Sequence, residues 1–316
     1  MSLRIVNHLG PEVGAQLAAH PAAPEVITPN AEDPAWQLPE GTEALVTAPR
    51  FWKGAPTPLD LPASLRWVQS LSAGIEAYPQ ELLSGRTVTC GRGLTAQAIA
   101  EYVLAAILQH RKPLASHAVR NGDWSKAGNS DGLPALAGQT VGLVGFGAIG
   151  QAVALRARAF NLAIVATRRG PWTSEPDGIE IRRDPASVAA EADHLVIAVP
   201  ATPATRGMIG KDVFAVAKPG LHLINVARGA IVDQDDLLEA LASGRVGAAT
   251  LDVTDPEPLP DSHPLYAHPR VTITPHISWV GGNDQVLFSQ QLMTNLDRWL
   301  SGGQDMINRV DPERGY

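Results

Sequence analysis

The chain has 316 residues, which suggests two domains, and 45% of them are hydrophobic, which is enough for a sizeable core. The charged fraction of 18% argues against a disordered chain, and the formal net charge of −7 argues against a nucleic-acid partner, since such proteins usually carry a basic face. There is no apolar run of the about 18–20 residues that cross a membrane, no recognisable signal peptide and a single cysteine, so we expect a cytoplasmic protein with no membrane partner.

The first hundred residues alternate short apolar runs with helical spacing. Strands are predicted at residues 4–6, 44–46, 66–68 and 88–90, and a helix at 11–19. This alternation favours a small parallel sheet. The proline-rich stretches at 21–39 and 49–62 are expected to be exposed loops.

From residue 140 onward, strongly apolar segments recur at regular intervals. An amphipathic helix over 95–112 precedes them, and we interpret it as the connector into a second domain. Strands are predicted at 141–146, 163–167, 195–199, 221–226, 248–253 and 271–274, and helices at 149–160, 185–191, 210–217 and 234–243. Uninterrupted apolar strands that alternate with helices indicate a doubly wound parallel sheet. A last helix over 284–300 is expected to pack back on the first domain.

A glycine pattern follows the first strand of the predicted second domain. Gly145, Gly147 and Gly150 form the sequence G-x-G-x-x-G between this strand and a helix. In a dinucleotide-binding fold these glycines allow a tight turn, close approach of a pyrophosphate, and close packing of helix on strand. The context predicts a dinucleotide site, and the alternative is a glycine-rich turn without a ligand.

The end of the next strand bears on the choice of cofactor. An NAD-preferring fold usually places an acidic residue there to bind the ribose hydroxyls. Here Thr167 is followed by Arg168 and Arg169, and two guanidinium groups can bind a 2′-phosphate. We therefore predict NADP(H) as the preferred cofactor, with NAD(H) as the second choice. The alternative is an ordinary solvated pair of arginines.

Three later segments carry polar residues where predicted strands end. They are residues 225–229 (N-V-A-R-G), 251–258 (L-D-V-T-D-P-E-P) and 274–276 (T-P-H). Ligands of open parallel sheets bind outside the carboxyl ends of the strands. These segments are therefore expected to converge beside the dinucleotide.

With these motifs in this order, the chain resembles the D-isomer-specific 2-hydroxyacid dehydrogenases. The resemblance covers nearly the whole chain and includes residues 141–150, 199–207, 225–229, 251–258 and 274–276. The closing residues 310–316 are similar to the glyoxylate/hydroxypyruvate reductase branch of bacteria. Residues 277–282 depart from the family by replacing its usual run of small residues with a segment that contains Trp279, which leaves the substrate open.

The resemblance implies a role for each matching residue. Arg228 would bind the substrate carboxylate and polarise the carbonyl group, His276 would act as acid/base, and Glu257 would orient the imidazole. Backbone N–H groups of Ala73, Gly74 and Ile75 would bind the substrate carboxylate as well. The expected cofactor contacts are Gly145, Phe146, Gly147, Ala148, Ile149, Gly150, Thr167, Arg168, Arg169, Val199, Pro200, Ala227 and Asp252, the last of these on the nicotinamide carboxamide.

Several alternatives to these roles stay open in the sequence. Asp255 competes with Glu257 as the partner of His276. The spacing of His263, His268 and His276 fits no closed zinc pattern, so no metal site is expected. Trp52 and Trp279 are equally compatible with a substrate cleft and with core or interface packing.

The resemblance also implies an architecture and a reaction. A flavodoxin-like substrate domain would comprise residues 1–96 and 285–316, and a Rossmann-type cofactor domain residues 97–284, with the active site in the cleft between them. The implied reaction is NADPH-dependent reduction of small 2-oxo acids, such as glyoxylate or hydroxypyruvate, to D-2-hydroxy acids by a homodimer. One alternative is a non-catalytic dinucleotide-sensing regulator of the same fold. Another is a formate dehydrogenase, which carries Gln beside its histidine, and Glu257 argues against it.

Overall fold

The structure is a computed structural model that describes residues 3–30, 32–125, 127, 133–172 and 176–311. It divides the chain into two compact units, Met1–Leu94 with Asn283–Tyr316, and Thr95–Gly282. The boundaries predicted from the sequence lie at 96/97 and 284/285. Most of the closing segment that resembles the reductase branch, residues 312–316, lies outside the described residues. Among the helices of the described part, none has the length and apolar character needed to cross a membrane.

The described residues form parallel strands and α-helices that alternate along most of the chain. The strands are β1 (Arg4–Asn7), β2 (Glu25–Ile27), β3 (Ala44–Thr47), β4 (Trp67–Ser70), β5 (Thr87–Thr89), β6 (Thr140–Val144), β7 (Ala163–Thr167), β8 (Glu180–Ile181), β9 (His194–Ile197), β10 (Leu221–Asn225), β11 (Val246–Leu251) and β12 (Val271–Ile273). The helices are α1 (Pro11–Ala18), α2 (Gln80–Leu83), α3 (Ala96–Arg111), α4 (Leu114–His117), α5 (Ala148–Arg158), α6 (Pro185–Ala189), α7 (Lys211–Val216), α8 (Gln234–Ala242), α9 (Pro264–Ala267) and α10 (Asp284–Leu300).

The first unit contains a parallel sheet with the strand order β2-β1-β3-β4-β5. This is the flavodoxin-like order expected from the resemblance. Helix α10 buries Phe288, Leu292 and Leu296 in the core of this unit, where they join Leu17 and Trp67. The terminal helix therefore belongs to the first unit, because its apolar face completes that core.

Two loop predictions in this unit are wrong in part. Strand β2 lies inside the stretch 21–39, where an edge strand of three residues with an exposed Glu25 carries too little pattern to be detected. The stretch 49–62 begins with a 3₁₀-helix, Pro49–Trp52, and buries Trp52 to 2% exposure. The indole nitrogen of Trp52 donates to Thr47 Oγ1 over 2.9 Å, so this residue is part of the core.

The second unit contains a parallel sheet with the order β12-β11-β10-β9-β6-β7-β8. The strand order reverses between β6 and β9, so the prediction of a doubly wound α/β fold is confirmed. Ligands of such sheets bind at the carboxyl ends beside this reversal, where the glycine segment 145–150 follows β6. Helix α3 packs against α5 and buries Ala100, Val103 and Ile107 in the core under β6.

Candidate active site

The turn after β6 has the geometry that the glycine pattern predicts. Gly145 has φ +105°, and an added Cβ there would lie 2.4 Å from the carbonyl oxygen of Ala198. A Cβ on Gly150 would lie 2.3 Å from the carbonyl oxygen of Gly145. At Gly147, the residue before α5, no atom of the described residues lies within 4 Å of an added Cβ. The open space before a helix N-terminus fits a pyrophosphate group.

The two arginines after β7 lie next to this turn. The amide of Gly145 donates to the carbonyl of Thr167 over 3.0 Å, which joins the ends of the two strands. The exposed Arg168 guanidinium lies 5.7 Å from the ring of Trp172, and that ring lies 5.2 Å from the ring of Phe146 in the glycine turn. Within the described part of the chain, no carboxylate forms an ion pair with Arg168. These contacts place the cationic Arg168 close to the glycine turn.

The loop after β9 contains Val199 and Pro200, two further residues that are predicted to contact the cofactor. A methyl group of Val199 would meet any Cβ added to Gly145, at 2.9 Å, so Val199 lies against the glycine turn. The carbonyl of the exposed Pro200 accepts from Thr205 Oγ1 over 2.8 Å, which holds the start of this loop.

The segment 225–229 forms a tight turn after β10. The buried Asn225 donates from Nδ2 to the carbonyl of Arg228 over 2.9 Å, and its Oδ1 accepts from the amide of Ala227 over 3.1 Å. Arg228 donates from Nη1 to the carbonyl of Ala227 over 2.7 Å. A Cβ on Gly229 would lie 1.9 Å from the carbonyl carbon of Thr254, so only glycine lets the two loops approach this closely. Asn225 thus shapes the turn that presents Arg228, a role that the sequence reasoning did not assign.

Glu257 and His276 lie together, as their spacing in the family implies. Nδ1 of His276 lies 2.7 Å from Oε1 of Glu257. Asp255, the competing carboxylate, instead pairs with Arg206, with 3.3 Å between Oδ2 and Nη1. Because a carboxylate only accepts, Nδ1 carries the proton in this pair and Nε2 is left for another partner. The arrangement can therefore hold an imidazole ready for proton transfer.

The loop that carries His276 is bound to Asp252, which is only 1% exposed. The carboxylate of Asp252 accepts from the Thr274 hydroxyl and from the amides of Ile277 and Ser278. The predicted contact of Asp252 with the nicotinamide carboxamide stays a prediction. The hydrogen bonds to the loop could not be detected in the sequence, because no local pattern distinguishes them.

Two further side chains meet this loop. Tyr102 on α3 lies 2.6 Å from Thr274, oxygen to oxygen, and burial raises the pKa of Tyr102, so its hydroxyl keeps its proton at neutral pH. Trp279 is 45% exposed, and its indole nitrogen donates to the carbonyl of His276 over 2.8 Å.

The predicted substrate loop follows β4 in the first unit. Ala73 is exposed, Gly74 is half-buried, and the side chain of Ile75 is buried. The hydroxyl of Ser70 donates to the carbonyl of Ser72 and accepts from its amide, which fixes the start of the loop. Towards other described residues, the amides of Ala73 and Gly74 make no hydrogen bond. They have the free donors that a carboxylate would need.

Metal-ligand residue types and the single cysteine can be compared with the structure directly. Among the described residues, no group of three or more His, Cys, Asp or Glu side chains is arranged to hold a metal ion. Cys90 is buried in the first unit, and burial raises the pKa of its thiol.

Comparison with known proteins assigns the chain to a family. Residues 102–278 match the family model described as D-isomer specific 2-hydroxyacid dehydrogenase, NAD binding domain. The chain is 38% identical to a glyoxylate reductase/hydroxypyruvate reductase of Mus musculus over 68% of each chain. It is also 32% identical to glyoxylate/hydroxypyruvate reductase A of Serratia proteamaculans over 91% of this chain and 93% of that one.

A solved structure agrees with these matches over the full length. The D-isomer specific 2-hydroxyacid dehydrogenase of Xanthobacter autotrophicus Py2, in complex with NADPH and MES, superposes with a TM-score of 0.78, 28% identity and full coverage of both chains. The resemblance stated from the motifs is thereby confirmed. The chain belongs to the D-isomer specific 2-hydroxyacid dehydrogenase family, and its second unit carries the NAD-binding domain of that family.

Proposed function

We propose that the chain reduces small 2-oxo acids of the glyoxylate and hydroxypyruvate type to D-2-hydroxy acids, with NADPH as the preferred cofactor. The observation that carries this proposal is the 2.7 Å contact of His276 with Glu257, in the unit whose glycine turn fits a dinucleotide. The names of the mouse and Serratia relatives support the same substrate class.

The His276–Glu257 pair would supply the proton. Glu257 accepts from Nδ1 of His276, which orients the ring and would leave Nε2 available to a substrate. When bound, the reduced nicotinamide supplies the hydride. As the carbonyl carbon is reduced, the imidazolium of His276 would protonate the carbonyl oxygen, and Glu257 stabilises the imidazolium until then.

Substrate binding would depend on Arg228 and on the loop of the first unit. A guanidinium can bind a carboxylate with two hydrogen bonds and draw electron density from the neighbouring carbonyl. The amides of Ala73, Gly74 and Ile75 are predicted to supply neutral donors for a substrate carboxylate. The turn made by Asn225 holds Arg228 in place, since the carbonyl of Arg228 is one of its two backbone contacts.

The preference for NADPH rests on the arginines after β7. Arg168 lies over Trp172 beside the glycine turn, and Thr167 and Arg169 flank it. The Xanthobacter relative was solved with NADPH. A 2′-phosphate beside these arginines would form charge-assisted hydrogen bonds, whereas NADH has no phosphate group at that position.

The test is a screen for NADPH oxidation with a panel of 2-oxo acids, followed by the stereochemistry of the product. We expect turnover with glyoxylate or hydroxypyruvate, and loss of turnover in His276→Ala and Arg228→Ala. His117→Ala and Arg183→Ala serve as matched controls, since Arg183 is 93% exposed and His117 lies in helix α4. If no 2-oxo acid oxidises NADPH or NADH, the result would favour the alternative of a dinucleotide-sensing regulator.

The resemblance also supports a homodimer in the cytoplasm as part of this proposal. Light scattering coupled to size-exclusion chromatography measures the oligomeric state directly, and a monomeric mass at working concentration would contradict the homodimer.

A further inference from the structure

The backbone of His276 adopts a conformation that few side-chain-bearing residues tolerate. Its φ angle is +55°, in the left-handed region. Such a residue persists only where the surrounding structure fixes it through several contacts. The position of the imidazole therefore depends on whatever holds the loop of residues 274–278.

Asp252 provides most of those contacts. Its carbonyl accepts from the amide of His276 over 2.9 Å. Its Oδ1 accepts from the amide of Ile277 over 2.8 Å, and its Oδ2 from the amide of Ser278 over 2.9 Å. Three successive amides of the loop thus bind one residue at the end of β11.

The remaining donor to Asp252 fixes the direction of a longer chain of hydrogen bonds. The hydroxyl of Thr274 donates to Oδ1 of Asp252 over 2.6 Å. A threonine hydroxyl has a single proton, so it can only accept from Tyr102, 2.6 Å away. The hydroxyl of Tyr102 therefore donates to Thr274, and the hydroxyl of Thr274 donates to Asp252.

We propose that Tyr102 and Thr274 are positioning residues of the reaction, which act on His276 through the carboxylate of Asp252. This inference rests on the proposed function, since it assigns what holds the acid/base of that reaction. The two hydroxyls hold the buried carboxylate in the orientation in which it binds the amides of Ile277 and Ser278. Helix α3, which carries Tyr102, thereby sets the geometry of the His276–Glu257 pair.

Thr274 offers a direct test because the shape of its side chain and its hydroxyl group can be changed separately. Thr274→Val keeps the size and branching of the side chain and removes the hydroxyl, whereas Thr274→Ser keeps the hydroxyl. Thr294→Val is the matched control, since it removes a hydroxyl group that donates a hydrogen bond of 2.8 Å to a backbone carbonyl of α10. Tyr102→Phe removes the first hydroxyl of the chain alone and serves if Thr274→Val does not fold.

We expect Thr274→Val and Tyr102→Phe to lower kcat by about ten- to a hundredfold, which is the range expected for a displaced catalytic group. The KM value for the 2-oxo acid should stay near wild type. The pH at which kcat falls to half should move in the same variants. Thr274→Ser should restore kcat and the pH profile, and Thr294→Val should resemble wild type in all of these measurements.

Hydrogen exchange of the Ile277 and Ser278 amides, followed by NMR without substrate, supplies a readout independent of activity. Exchange should be faster in Thr274→Val and Tyr102→Phe than in wild type and Thr274→Ser. The inference is overturned if these two variants keep wild-type exchange or if kcat falls without faster exchange. It is also overturned if the kcat of Thr274→Ser is as low as that of Thr274→Val. A wild-type protein without turnover of any 2-oxo acid would instead refute the proposed function, while the exchange result would still stand.

Discussion

Glu257 accepts a hydrogen bond from His276 across 2.7 Å, although 19 residues separate the two in the sequence. Both side chains are in contact with solvent, with 43% of the Glu257 side chain and 37% of the His276 side chain exposed. The pair is thus accessible to a ligand and has its proton placed on Nδ1. Its competitor, Asp255, is engaged by Arg206.

The first prediction concerns the charge of the Glu257 carboxylate. Glu257→Gln can still accept from Nδ1 of His276 but no longer stabilises the imidazolium, so kcat should fall by about 10²-fold or more with little change in KM. Steady-state kinetics across pH measure the effect. Glu239→Gln, which removes an exposed carboxylate from α8, is the control. Equal kcat values for Glu257→Gln and wild type would show that Glu257 does not support proton transfer.

The second prediction concerns the cofactor. Arg168→Gln should raise KM for NADPH by about ten- to a hundredfold, since hydrogen bonds between charged groups contribute about 1.5–3 kcal/mol. KM for NADH should change little, because NADH has no 2′-phosphate. Arg183→Gln, at an exposed arginine of the same unit, should change neither value. A wild type that prefers NADH, or an equal loss for both cofactors, would contradict the assignment of Arg168.

The third prediction separates folding from binding in the glycine turn. Gly147→Ala should leave the free energy of unfolding near wild type, since its added methyl group meets no described atom within 4 Å. It should weaken dinucleotide binding, because the methyl group would occupy the space expected for the pyrophosphate.

Gly145→Ala should have the opposite signature. Its φ of +105° and the 2.4 Å approach to Ala198 predict a loss of well over 1 kcal/mol in the free energy of unfolding. Urea unfolding and titration with NADPH measure the two effects. Unchanged NADPH affinity in Gly147→Ala would argue for a glycine turn without a ligand.

Most of the fold and the site could be predicted because their signals are local. Apolar runs predicted the central strands, and the glycine pattern predicted the turn after β6. The missed strands β2 and β8 have three and two residues at sheet edges, where exposure erases the apolar pattern. Trp52 lies in a proline-rich stretch whose pattern leaves the cleft and the core equally open, and the structure buries its ring in the core.

The support of His276 was not visible in the sequence for a different reason. Tyr102 and Thr274 are separated by 172 residues, and a hydrogen bond between hydroxyl groups leaves no periodicity in either segment. The left-handed backbone of His276 follows from bonds to Asp252, which only the folded chain brings together. Motifs predict which groups carry the chemistry, whereas tertiary contacts determine how those groups are held.

The fourth prediction concerns stability at low pH and a buried histidine cluster in the second unit. Nδ1 of His194 lies 3.1 Å from Nδ1 of His222, and the ring of His110 stacks on His222 at 4.4 Å. Burial, with a smaller effect of His110, lowers the pKa of His194 to about 4 and that of His222 well below 6.5. Asp193 opposes the shift at His194, and Arg111 adds to it.

The sign of the effect follows from where the protons bind. Above pH 6.5 both folded and unfolded chains hold these imidazoles neutral, so their contribution to stability is fully present. As the pH falls from 6.5 to about 4, the unfolded chain binds protons and the folded chain does not, which should cost about 3 kcal/mol for His194 alone. Urea unfolding at steps of pH measures this loss. His194→Gln should flatten the pH dependence, whereas His117→Gln, outside the cluster, should leave it as in wild type. An equal slope in His194→Gln and wild type would show that the imidazole is not held neutral by the fold.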